Sequence, residues 1–218
     1  MRARYEYNLF DLDGTLTDPA LGITNSVMYA LEKSGYPVPE RRELYKFIGP
    51  PLVYSFKTYS GMSDEEAERA VWLYRERFSA GGLFENEIYP GIAELLRDLK
   101  AAGGRIILAT GKPEEFAAKI LEHFGILEYF DLVAGNTLEE KRPEKRMVLE
   151  HIFSNFPEIS AKNAVMVGDR SYDIEAAAEF SLPSVGVLFG YGTKAEIEAA
   201  GANMLAKDVA ELSRYLLE

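Results

Sequence analysis

At 218 residues the chain is long enough for one large domain or for a core with a smaller insertion, and its 47% hydrophobic and 27% charged residues are the ordinary globular mixture, which needs neither disorder nor a fibrous architecture to explain it. A formal net charge of -11 without a concentrated Lys/Arg surface excludes a nonspecific binder of nucleic-acid polymers, and the lack of cysteine excludes disulfides, thiolate catalysis and thiolate-bound zinc. No apolar run reaches the roughly 18 residues of a membrane span, and the start, Met1 to Tyr7, is too polar for a signal peptide, so the expected location is the cytoplasm.

The first predicted element is a buried strand over Tyr7–Leu12, whose apolar run around Leu9 and Phe10 stops at Asp11-Leu-Asp-Gly-Thr. From about Pro19 to Ile88 the pattern changes to helices without a clear buried strand. Ser63-Asp-Glu-Glu66 has capping-box spacing there, and Val71, Trp72, Tyr74 and Phe78 follow at helix-compatible positions. Together with Tyr54, Phe56 and Tyr59 these aromatic residues are expected to fill the interior of a helical insertion.

After Tyr89-Pro-Gly91 the alternation returns. A helix over Gly91–Ala102 buries Ile92, Leu95, Leu96 and Leu99, and a strand over Arg105–Ala109 follows. A helix opening at Pro113 carries Phe116, Ile120 and Leu121, with Gly103 and Gly125 as stop signals behind the two helices. Strands over Asp131–Ala134, Ala164–Val167 and Pro183–Val187 alternate with helices over Lys145–Phe156 and Ile174–Phe180, and Asp208-Val-Ala-Glu211 caps a last helix. Strands separated by helices predict the α/β class with a parallel sheet.

In an open parallel sheet, ligands bind outside the carboxyl ends of the strands, so the residues that end each apolar run are the ones to inspect. These are Asp11 and Asp13, then Thr110 and Gly111, then Gly168, Asp169 and Asp173, with Lys145 opening the helix after the third run. An ionised Asp11 suits a metal ligand and a nucleophile that forms an aspartyl-phosphate. Asp13, if burial or neighbouring charge raises its pKa, can protonate a leaving alcohol and later activate water. Asp169 adds a second hard oxygen ligand, and a few carboxylates completed by water and phosphate suit Mg2+ better than zinc. Thr110, the Gly111 amide and Lys145 supply hydrogen bonds and positive charge to a phosphoryl group.

Asp-Leu-Asp-Gly-Thr at 11–15, Ala-Thr-Gly-Lys at 109–112, a basic residue at 145 and Gly-Asp-Arg-Ser-Tyr-Asp at 168–173 resemble the four motifs of the haloacid dehalogenase-like hydrolase superfamily. Phe47-Ile-Gly-Pro-Pro-Leu52, Tyr89-Pro-Gly91 and Gly186–Gly192 resemble its phosphoglycolate phosphatase-like branch, which also contains enzymes acting on nucleotides. The resemblance implies a Rossmann-like core over 1–17 and 89–218 with an all-α helical cap over 18–88. It further implies magnesium held by Asp11, the Asp13 carbonyl and Asp169, with Asp173 supporting the metal site. The implied activity is hydrolysis of a small phosphomonoester, of the phosphoglycolate or nucleoside monophosphate type, so the expected partner is a small phosphorylated metabolite. The second aspartate, Asp13, separates the chain from the dehalogenases of the superfamily. In the third motif, Lys141 also precedes a basic residue and a proline, but Arg142 and Lys145 at three-residue spacing match the branch better. Glu175-Ala-Ala-Ala178 and Ser181 stand where relatives often have glycine.

Taken singly, each motif has a plainer reading: Asp11-x-Asp13 as a turn, Thr110 as a helix cap, Asp173 as an acid at a helix start, Lys145 as a solvated helix residue. Their order at successive strand ends favours catalysis. Two rival functions share the residues: phosphotransfer, as in the sugar-phosphate mutases that resemble this family, and a catalytically silent binding protein of the same fold.

Overall fold

The computed structural model describes residues 2–218. The chain divides into two compact units, Met1–Thr17 with Ile88–Glu218 and Asp18–Glu87.

In the larger unit, β1 is Tyr7–Phe10, and the chain leaves and returns through the two-residue strands β2, Thr17–Asp18, and β3, Glu87–Ile88. The smaller unit lies between them and holds the helices α1, Ala20–Lys33, α2, Leu52–Ser60, and α3, Asp64–Ala80, with a 3-10 segment at Arg41–Phe47. The larger unit then continues through α4, Ile92–Ala101; β4, Arg105–Pro113; α5, Glu114–His123; β5, Leu132–Asn136; and α6, Lys145–Asn155. It ends with β6, Ala164–Gly168; α7, Ser171–Glu179; β7, Ser184–Val187; α8, Lys194–Ala199; β8, Met204–Ala206; and α9, Val209–Leu216.

Six strands form one sheet in the order β5-β4-β1-β6-β7-β8, and every pairing in it is parallel. The fold is therefore the α/β Rossmann-like one. Helices cover both faces of such a sheet, which is why β1 and β6 are buried along their whole length instead of alternating. Leu9, Ile107 and Met166 sit level across β1, β4 and β6 and share one apolar cluster with Val148, Leu149 and Ile152 of α6 and Ala176 and Ala177 of α7. The alanines at 176–178 are accommodated within α7.

Local chemistry explains most element ends. Gly103 and Gly125 take positive φ, 84° and 66°, just behind α4 and α5, the conformation that ends helices without a Cβ penalty. Asp208 caps α9 by accepting from the Glu211 amide at 2.8 Å. Ser63 and Glu66 close the expected capping box on α3. β8 is too short for the sequence pattern to reveal, and α7 begins at Ser171, three residues before the expected start, because Asp173 and the Arg170 backbone open it.

The smaller unit packs α1 on α3, with Ile23, Val27, Ala30 and Leu31 facing Ala67, Ala70, Val71, Tyr74 and Phe78. Phe56, Tyr74 and Phe78 are interior, as expected, but Tyr54 and Trp72 are not, being 50% and 63% exposed. The helical period gives the reason: 67, 70, 71, 74 and 78 line one face of α3, and Trp72 falls outside it. Among the described residues, no helix is long and apolar enough to cross a membrane.

Candidate active site

The site lies at the carboxyl ends of β1, β4 and β6, all in the larger unit. β1 ends at Phe10, and the Asp11 amide still bonds the Val167 carbonyl at 2.9 Å, so the Asp11 backbone is fixed by the sheet. Beyond it the chain turns tightly: the amides of Thr15, Leu16 and Thr17 all donate to the Leu12 carbonyl, and Gly14 adopts φ +84°. Gly14 is obligatory for a second reason, since a Cβ there would meet the Asp169 carboxylate at 2.1 Å.

Asp11, Asp169 and Asp173 are all buried and offer carboxylate oxygens that lie within 4.8 Å of one another. Lys145, at the first turn of α6, reaches into this cluster. Its ammonium donates to Asp11 Oδ1 at 2.7 Å and the Ala109 carbonyl at 2.7 Å, and forms an ion pair with Asp173 Oδ1 at 2.7 Å. Burial alone would lower the Lys145 pKa, but the Asp11 and Asp173 carboxylates outweigh it and push it up, so the residue stays charged. Lys141, the other candidate, is exposed and only its amide is engaged, with Thr137 Oγ1.

The three acids are held by different means. Asp169 accepts the Tyr191 amide at 2.7 Å and the Thr15 hydroxyl at 3.4 Å, while a Cβ on Gly190 would come within 2.5 Å of its Oδ2. The Gly190-Tyr-Gly192 turn therefore presses backbone against this carboxylate, which explains why the segment is glycine-rich. Burial first, then Asp173 and Asp11, push the Asp169 pKa well above the ordinary carboxylate range. Asp173 is pushed up to about 6, by burial with Asp11 adding and Lys145 opposing. Its Oδ2 accepts the Arg170 amide at 3.2 Å, and a Cβ on Gly168 would strike its Cγ at 2.2 Å.

Thr110 is 1% exposed, and its hydroxyl oxygen accepts the Lys112 amide at 3.2 Å, which leaves the hydroxyl proton available to donate. This geometry comes from a break in the ladder: Ala109 pairs with Ala134 and Pro113 with Asn136, so four steps of β4 match two of β5. The three residues between these pairs, Thr110, Gly111 and Lys112, stand opposite one, Gly135, and so bulge out of the strand; Gly135 makes room because a Cβ there would meet the Lys112 carbonyl at 2.4 Å.

The bulge reveals a residue that the sequence reading quotes within a motif but gives no role. Lys112 Nζ lies 2.7 Å from Asp13 Oδ2, with side-chain exposures of 6% and 13%. Burial raises the Asp13 pKa and Lys112 opposes the rise. Arg142 is the second such residue. Its guanidinium donates to the Gly135 carbonyl at 2.7 Å and to Glu114 Oε1 at 2.5 Å, and its amide bonds Asn136 Oδ1 at 3.0 Å, which pins the loop that delivers Lys145. Its signal was the three-residue spacing to Lys145.

The donor set fits a hard divalent cation. When all are ionised, Asp11, Asp13, Asp169 and Asp173 have two lysines, Lys112 and Lys145, against them, an excess of two negative charges that a dication matches; Arg170, which also opposes the rise of the Asp169 pKa, is balanced by its own pair with Glu196. Two carboxylates at such separations repel by about 3 kcal/mol at an effective dielectric of 20, so the cluster gains from a cation.

A Rossmann-like sheet with lysine-bridged carboxylates at its carboxyl edge defines the class, an α/β enzyme. Residues 8–187 match the family model described as haloacid dehalogenase-like hydrolase, and the chain belongs to that family. A 5'-nucleotidase of Pseudomonas aeruginosa is 38% identical over 213 residues, which cover 98% of this chain and 96% of that protein. The tyrosine-protein kinase PtkA of Mycobacterium tuberculosis is 42% identical over 184 residues, 84% of this chain but 62% of its own length. A phosphoglycolate phosphatase of Vibrio parahaemolyticus is 30% identical over 212 residues, 93% of this chain and 92% of that one. The crystal structure of a predicted phosphatase from Clostridium acetobutylicum matches with a TM-score of 0.93 and 44% identity, covering 97% of each chain.

Proposed function

We propose that the protein is a magnesium-dependent phosphatase that hydrolyses a small phosphomonoester through an aspartyl-phosphate on Asp11. The observation that carries this reading is the buried triad Asp11, Asp169 and Asp173 with Lys145 bonded at 2.7 Å to Asp11. The likeness to a 5'-nucleotidase and a phosphoglycolate phosphatase supports the same class of substrate.

Asp11, the Asp13 carbonyl and Asp169 would hold Mg2+, and Asp173 would steady Lys145 and the cluster. The cation, when bound, neutralises phosphate charge as the phosphoryl group transfers. A carboxylate oxygen of Asp11 attacks phosphorus while the bond from phosphorus to the leaving oxygen breaks, and Asp13 gives that oxygen its proton. Asp13 then takes a proton from water, whose oxygen bonds phosphorus as the bond to Asp11 breaks, releasing inorganic phosphate. Thr110, the Gly111 amide and Lys145 hold the phosphoryl oxygens throughout. In this reading the helical unit, residues 18–88, is the cap.

The test is a comparison of kcat/KM for phosphoglycolate, nucleoside monophosphates, sugar phosphates and pyrophosphate, with magnesium and with chelator. Magnesium-dependent release of inorganic phosphate from a monoester is expected. The likeness to PtkA favours one second reading, passage of the phosphoryl group to an acceptor other than water. A phosphorylated acceptor with little free phosphate would establish it in place of hydrolysis.

A further inference from the structure

The two aspartates of the first motif have separate lysines: Lys145 on Asp11 and Lys112 on Asp13, each at 2.7 Å. Lys145 sits beside the nucleophile and the Ala109 carbonyl. Lys112 is drawn to the other acid by the bulge at 110–112. It holds only one oxygen of Asp13, Oδ2, whereas Asp13 Oδ1 is buried and has no hydrogen-bond partner. A buried carboxylate oxygen without a partner is costly and is found where chemistry uses it.

Resting on the phosphatase reading above, we infer that Lys112 is a positioning residue for Asp13: it clamps Oδ2 and so leaves Oδ1 as the atom that carries the proton. In the first half-reaction the proton leaves Asp13 Oδ1 for the departing oxygen as that oxygen takes the electron pair of its bond to phosphorus. In the second, Oδ1 recovers a proton from the attacking water. Lys112 loses and gains nothing in either step. Its contribution is to stop the carboxylate from rotating and to hold the free oxygen at the reacting bond.

A loosened proton donor has a specific signature. An alkoxide leaves only with a proton, whereas p-nitrophenolate leaves without one, so the damage depends on the leaving group. The ratio kcat/KM isolates the steps up to leaving-group departure in a two-step displacement. For Lys112→Met we expect kcat/KM toward a nucleoside monophosphate to fall by about 30-fold or more, a partial loss of the roughly 10²–10⁴-fold that a general acid supplies, and that toward p-nitrophenyl phosphate to fall less than about threefold. Lys112→Arg, which keeps the cation, restores part of the nucleoside monophosphate rate and carries the test if the methionine variant does not fold.

An equal loss on both substrates would overturn the inference and make Lys112 a phosphate-binding cation, and so would an unchanged rate on both. Asp13→Asn separates this from failure of the underlying reading. It should show the same dependence on the leaving group, more strongly, and a folded Asp13→Asn protein without that dependence would defeat the role of Asp13 itself.

Discussion

The two ends of the central sheet handle charge in opposite ways. At the amino ends of β4 and β5, Asp131 accepts the Ile106 amide and the Lys100 ammonium, both at 2.8 Å, while Arg105 stacks on Phe156 and donates to the Tyr7 hydroxyl. Asp131, Lys100 and Arg105 each have a charged partner and some access to water. At the carboxyl ends, Asp11, Asp169 and Asp173 crowd together in the interior with an excess of negative charge, and an oxygen of Asp13 is left without a partner. Identical chemistry, carboxylates facing amines, builds stability at one end and reactivity at the other. The difference is burial and the ratio of acids to bases. The same substitution, aspartate to asparagine, should therefore have opposite consequences at the two ends.

The largest effect is expected at Asp11. Asp11→Asn should cut kcat by about 10⁴-fold or more, as loss of a catalytic nucleophile does. Its thermal midpoint without metal should not fall, because a charge leaves a repulsive cluster. A folded Asp11→Asn protein with full magnesium-dependent turnover would break the comparison at its strongest point.

Asp169 comes next. Magnesium should raise the melting temperature of the wild-type protein and leave that of Asp169→Asn unchanged. Without metal the variant should melt several degrees higher than wild type at pH 7 and level with it near pH 4. The sign follows from the raised Asp169 pKa. A carboxyl whose pKa rises on folding contributes stability below its unfolded value and loses it as pH climbs toward the folded one. A variant less stable than wild type at pH 7 would contradict this.

Asp131 should respond the other way. Burial alone would raise its pKa, but Lys100 and the Ile106 amide outweigh that and hold it below the ordinary range. Its stabilisation is present at neutral pH and lost as pH falls through the folded value. Asp131→Asn should cost about 1 kcal/mol at pH 7 after allowing for solvent screening, and the gap should close below about pH 4. Phosphate release should be unaffected, so stability and activity are read on the same sample. The smallest effect is at Ser181, which precedes β7 and has φ +57°. Ser181→Gly relieves the left-handed strain but frees the unfolded chain, for a net gain of about 0.5 kcal/mol by chemical denaturation.

The same contrast governs what the sequence could reveal. Strands buried on both faces appear as apolar runs, and a residue such as Asp11 or Asp169 stands out because it ends one. Both the sheet and the acidic residues at its carboxyl edge were therefore legible. Lys112 was not, because its position depends on a bulge that exists only through pairing of β4 with β5 and the open space at Gly135. Arg142 is known as a clamp only once the Gly135 carbonyl and Glu114 are seen to meet it. Trp72 misled for a simpler reason, since aromatic character suggests burial while the helical period of α3 places it on the solvent side.

The central claim is that Asp11 becomes phosphorylated, and a chemical trap tests it most directly. An acyl phosphate is reduced by borohydride to an alcohol, which marks the residue that carried the phosphoryl group. The Asp13→Asn protein, slow to activate water, would be mixed with magnesium and p-nitrophenyl phosphate, whose leaving group departs without a proton, then quenched and reduced, and its peptides mapped by mass spectrometry. The account predicts homoserine at position 11 and at no other aspartate, absent when substrate is omitted. Phosphate release in a single turnover with position 11 unmodified, or reduction at a different aspartate, would contradict it.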